Sequence, residues 1–206
     1  MKIEYARDIS CCRYNNLVYA RTLKAGSEFF YKNYTQTAGW TPIKYTDIDW
    51  NHDTVFSYIM DPIQRRNKGI SEAIISAGAQ DMLIKNKGNF VDIVKRIPFL
   101  DAHSASLHDI YGNDTRRIYW LLMTNDHRVA IQETEKFFAK NNVPPINWNV
   151  DFTHASESYM SEVYTHVKAA WDWTKEPQKD FTVQNYFLAD IELYNEVLTK
   201  YNQAQK

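Results

Sequence analysis

The chain has 206 residues, 44% hydrophobic and 24% charged, the balance of one soluble globular domain spanning 1–206. A net charge of −1 excludes the strongly basic balance of a nucleic-acid or membrane-surface binder, and no apolar stretch approaches a membrane span. Charge is unevenly spread, +4 over residues 1–100 (14 Lys+Arg, 10 Asp+Glu) and −5 over 101–206 (10 against 15), so an anionic ligand is better received by the first half.

In chain order, the start "MKIEYARDIS" lacks the apolar core of a signal peptide. The adjacent Cys11 and Cys12, with no metal-ligand spacing, point to a reducing, cytoplasmic setting. Short apolar and β-branched runs predict buried strands over 16–23 ("NLVYARTL"), 54–60 ("TVFSYIM") and 117–123 ("RIYWLLM"), with a weaker strand in 41–47. Between them come predicted helices. "SEFFYKNY" opens with Ser27 as its cap. Residues 62–83 start at Pro62 and place Ile70, Ile74, Ile75 and Leu83 on one face. Segments 88–97, 126–142, 155–175 and 183–203 are also expected to be helical. Strands alternating with helices imply an α/β fold with a P-loop-like central parallel sheet, helices on both faces and a helical C-terminal segment. Ligands of such sheets bind at the carboxyl ends of the strands.

Two strand-to-helix corners carry the chemistry. In "TLKAGSEFF" (22–30), Gly26 lets the backbone approach a ligand, Lys24 adds a mobile cation and Ser27 a hydroxyl. The amides from Ala25 to Glu28 open a helix, where unpaired N–H groups and the dipole favour an anion. The nucleotide-triphosphatase loop is excluded, because it needs lysine after the glycine of G-x-x-x-x-G-K-[ST]. An ordinary turn with a surface lysine is the plain alternative. In "YIMDPIQRRNKG" (58–69), Arg65 and Lys68 stand three apart and can converge on one anion, beside Arg66. Here the plain alternative is a solvated basic helix face.

These segments resemble the sulfotransferases that use 3′-phosphoadenosine-5′-phosphosulfate (PAPS), closest to the carbohydrate-type branch and its short phage and microbial members. "TLKAGSEFF" is similar to the family's 5′-phosphosulfate loop, P-K-[ST]-G-[ST]-[ST]-x-[LFW]. "YIMDPIQRRNKG" is similar to its 3′-phosphate motif, V-R-[DN]-P-x-x-R-x-x-S-[GA]. "FVDIVKRIPFLDAHSAS" (90–106) resembles a D-x-H-x-x-P-Q segment, and "YFLADIELYNEVL" the C-terminal Y-x-x-D-x-x-L-Y helix. The four occur in the family's order over 16–198. Departures are Leu23 for the loop proline, Met60 for the arginine before D-P, Lys68 for the motif serine, and no P-Q after His103.

The resemblance implies in-line transfer of a sulfuryl group from PAPS, leaving 3′-phosphoadenosine 5′-phosphate (PAP), to a hydroxyl of a small-molecule or carbohydrate acceptor. Lys24 would stabilise the charge that builds on the bridging oxygen. The amides from Ala25 to Glu28 and the Ser27 hydroxyl would hold the 5′-phosphate, and Arg65 and Lys68 the 3′-phosphate. His103, oriented by Asp101, matches the family's histidine and is the expected general base; His52, Asp49 and Glu28 are alternatives. No metal is implied. His108, His127, His154 and His166 read as structural, and Trp171, Trp173, Tyr186, Phe187 and Tyr194 as core. The competing reading is a relative that binds a nucleotide or polyanion without turnover, to which Met60 and Lys68 point.

Overall fold

Alternation along the strands decides the layering. The computed structural model describes residues 9–76, 99, 101–124, 126–149 and 181–205. The expected helices at 88–97 and 155–175, residues 77–83 of the helix expected over 62–83, and His154, His166, Trp171 and Trp173 lie outside them.

Strands β1 (Ser10–Tyr14), β2 (Leu17–Ala20), β3 (Thr41–Lys44), β4 (Thr54–Ile59) and β5 (Tyr119–Leu122) form one sheet in the order β3-β1-β2-β4-β5. β2 pairs parallel with β4, Val18 opposite Val55, and β4 pairs parallel with β5, Ser57 opposite Trp120. β1 runs antiparallel to both β2 and β3. The sheet is therefore mixed, which corrects the expectation of a parallel one. The difference is a hairpin turning at Asn15, whose φ of 51° lies in the left-handed region that asparagine tolerates. The weak strand at 41–47 stops at Lys44 and gives way to a 3₁₀ turn, Tyr45–Asp47.

Successive residues face opposite sides of the sheet. Cys12, Leu17, Tyr19, Phe56, Tyr58 and Leu121 face one layer, made by α1 (Ser27–Gln36) and α4 (His127–Lys140). Cys11, Val18, Ala20, Val55, Ile59 and Trp120 face the other, made by α3 (Leu107–Tyr111) and α6 (Leu188–Ala204). α2 (Pro62–Ser76) leads from β4, and α5 (Phe181–Tyr186) precedes α6. The abundant aromatics pack the first layer: Tyr34 stacks on Trp40 at 4.6 Å and Phe30 on Tyr58 at 3.7 Å. Buried hydroxyls run through it, Tyr34 to Tyr58 at 2.5 Å and Tyr58 to Thr134 at 2.6 Å. No helix among the described residues is long and apolar enough to cross a membrane.

Candidate functional site

Because β2, β4 and β5 are parallel neighbours, their carboxyl ends share one edge. Three strand-to-helix corners meet there, leading into α1, α2 and α4.

The first corner is tied down from below. The buried Thr22 hydroxyl lies 2.7 Å from that of Ser57 and 2.9 Å from that of Tyr111. Tyr111 in turn donates to the Arg21 carbonyl and Ser57 to the Ala20 carbonyl. Beyond this anchor the chain makes two left-handed turns, Lys24 at φ 64° and Gly26 at φ 69°. Gly26 is required twice over: a Cβ there would sit 3.0 Å from the Phe30 ring and 3.1 Å from Met123. Gly26 occupies the N-cap position, so Ser27 is the first helical residue rather than the cap expected from the sequence. Lysine has no such licence, and its left-handed backbone costs about 1–2 kcal/mol. Strain of this kind collects at functional sites.

Lys24 is three-quarters buried, and its Nζ pairs with the Glu72 carboxylate of α2. Burial, helped by Arg21 and Lys68, pushes its ammonium down to about 8, against the pull of Asp101 and Glu28. The Glu72 contact works the other way, favouring the charged amine. Glu28 is committed to Arg21 at 2.8 Å and Lys32 at 3.0 Å. Burial works to raise its carboxyl, but the Lys32 hydrogen bond and the surrounding cations outweigh it and hold it low. Glu28 therefore serves as a brace for α1 and its corner.

The second corner departs from the sequence expectation. Arg65 is not presented to a ligand: its side chain is 1% exposed and turned inward, with Nη2 on the Ala105 carbonyl and 3.8 Å from Asp190 of α6. Its Nε and Nη1 find no partner among the described residues. Arg66 is equally buried and donates to Asn67 Oδ1 at 2.9 Å. The basic triplet is thus mostly interior, because Asp190 supplies the counter-charge that makes burial of Arg65 tolerable. Lys68 is half-buried and close enough to Lys24 to depress its pKa, so it is the member of the triplet whose charge reaches the first corner.

The segment carrying His103 lies along α2. A Cβ on Gly69 would run into the His103 carbonyl, so the missing side chain is what lets the 101–106 turn settle on the helix. Asp101 accepts from the His103 amide at 2.9 Å and holds Nδ1 at 3.0 Å, which fixes the ring. Burial works to raise the Asp101 carboxyl, but these bonds and the imidazole beside it hold it below its ordinary value. Nε2 faces Glu72 Oε1 at 3.5 Å. Lys24, Glu72, His103 and Asp101 therefore form one continuous chain of polar contacts across the corners.

Gly69→Ala is expected to displace His103 from Glu72. The gain of about 1 kcal/mol in helix propensity does not compensate a backbone collision. A backbone-assigned NMR spectrum should show shifts concentrated at 101–106 and 65–72, with the sheet unmoved.

His52 and Asp49 fall away as bases. They bond each other at 2.8 Å just before β4 begins, at the opposite end of a six-residue strand about 17 Å long. His127 opens α4 and packs edge-on against Phe29 at 5.0 Å, and His108 is exposed on α3. Sequence reasoning missed Glu72, although its spacing of four from Lys68 and seven from Arg65 places it on the helix face those residues share. Among the described residues no cluster of three His, Cys, Asp or Glu could hold a metal ion.

No protein-family model, curated protein or solved structure matches the chain.

Proposed function

We propose that the chain is a PAPS-dependent sulfotransferase acting on a hydroxyl of a small-molecule or carbohydrate acceptor. The observation that carries this reading is the convergence of Lys24, on a strained glycine-containing corner, with the Asp101–His103 pair on one sheet edge. PAPS supplies the activated sulfuryl group. Its 5′ end fits the residues present in part: Gly26 keeps the loop free of side chain, the amides of Ser27 and Glu28 open α1, and Lys24 brings a cation to the same turn, while the Ala25 amide expected to join them donates to the Thr22 carbonyl at 3.3 Å. Lys24 neutralises charge on the oxygen that leaves sulfur. His103, its Nδ1 held by Asp101, takes the acceptor's proton at Nε2 once that nitrogen is uncovered. The 3′ end fits less well, since Arg65 is already engaged with Asp190 and Ala105. That same observation favours the second reading, a polyanion-binding relative without turnover. Location in the cytoplasm is part of the proposal, supported by two buried, unbridged cysteines.

Calorimetry with PAP tests the binding claim, and transfer of labelled sulfate to a panel of hydroxyl acceptors separates the enzyme from the inert relative. The affinity for PAP should also be pH-dependent. An anion needs the Lys24 ammonium, so affinity is expected to hold below about pH 7 and to weaken as pH rises through about 8. Stability moves oppositely in that region. The unfolded lysine keeps its proton to near 10.5, so the Lys24 contribution to unfolding free energy rises between about 8 and 10.5. Lys24→Met should flatten both profiles.

A further inference from the structure

Lys24 and His103 come from different segments, and a single carboxylate touches both. Glu72 pairs with Lys24 Nζ through one oxygen, and its other oxygen stands 3.5 Å from His103 Nε2. The far side of the ring is taken by Asp101. In this arrangement the lysine has no charge to spare for a ligand, and the histidine presents Glu72 rather than a bare nitrogen to an acceptor. Neither group is in its working state.

The two side chains are similarly exposed, and the contact differs in how each backbone is held. Lys24 sits on a corner fixed by the Thr22–Ser57–Tyr111 hydroxyls and by its own left-handed backbone. Glu72 stands on a regular helix with three side-chain torsions and is 28% exposed, so it has an outlet to solvent. An anion arriving at Lys24 repels a carboxylate within a few ångströms, and one ammonium cannot serve both at full strength. The side chain able to retreat is Glu72.

We propose that Glu72 is an internal plug: in the ligand-free chain it stands in for the donor's anion at Lys24 and covers His103 Nε2, and donor binding expels it, releasing both groups together. Donor then binds before the acceptor is activated, and the empty site carries a neutralised rather than a naked lysine. The donor's identity rests on the sulfotransferase reading. The plug itself needs only an anion that Lys24 accepts.

The test is calorimetry on the full chain, unsubstituted and as Glu72→Gln, with PAP and with inorganic pyrophosphate. Glutamine keeps the shape and removes the charge. The expected result is binding of both anions tighter by about tenfold or more, a gain that disappears when Lys24→Ala is combined with it. Glu72→Asp, whose shorter carboxylate reaches Lys24 less well, should give a smaller gain. Melting curves establish that each variant is folded. Unchanged or weaker affinity for both anions in Glu72→Gln overturns the plug, as does a gain that survives Lys24→Ala. The two readings fail separately. If pyrophosphate tightens while PAP binds neither protein, the plug stands and the PAPS assignment falls. If PAP binds both proteins equally, the plug falls and the assignment stands. If neither anion binds either protein, both are overturned.

Discussion

Lys24→Ala is expected to lower sulfuryl transfer by about 10²–10³-fold with little change in the fold. The side chain is partly exposed and its one ion pair among the described residues is with Glu72, which can turn to water, so stability has little to lose. Turnover has much to lose, because Lys24 is the cation of the glycine-containing corner where the leaving oxygen would lie. Lys24→Gly sharpens the comparison. It removes the amine as completely, yet relieves a left-handed backbone at φ 64° and should gain about 1 kcal/mol of stability. Activity and stability are therefore expected to part company at this position. Single-turnover transfer from labelled PAPS beside urea denaturation measures both, and full activity in either variant refutes the assigned role.

Asp190→Ala is expected to destabilise the chain by about 3–5 kcal/mol, the usual cost of stripping a buried charge of its partner. Asp190 is 2% exposed, lies 3.8 Å from the Arg65 guanidinium and accepts from the Leu107 amide at 2.7 Å. Burial raises its carboxyl despite the nearby arginine. Removing it leaves Arg65 with the Ala105 carbonyl as its bonded partner among the described residues. Replacing both members by apolar residues, as in Arg65→Met with Asp190→Leu, should recover most of the loss. A urea midpoint for Asp190→Ala equal to that of the parent chain would show that the pair carries no net weight.

The parts of the fold legible in the sequence were those with strong local signals. β2, β4 and β5 are short apolar runs buried on both faces, and the start of α2 announces itself by Pro62. β1 was missed because "SCCRY" looks like a redox clue rather than a strand, although Cys11 and Cys12 end up buried on opposite faces of the sheet. Lys24 and Gly26 could be singled out from residue type and spacing, and His103 and Asp101 from the resemblance to the sulfotransferase D-x-H segment. Arg65 could not be placed, because whether a guanidinium faces solvent or the interior depends on a carboxylate far along the chain. Glu72 was invisible for a related reason. It becomes significant only when Gly69 admits the 101–106 turn, and that approach is a tertiary event without a local signature.

Arg65 and Glu72 stand two helical turns apart on one rigid rod, the first clasped by the C-terminal helix and the second meeting the lysine corner. Helix α6 is thereby moored to the corner that carries Lys24. Clipping the chain ahead of Leu188 would part Asp190 from Arg65, so an injury at the far end of the chain would be felt along the whole of α2 and at the lysine corner it meets.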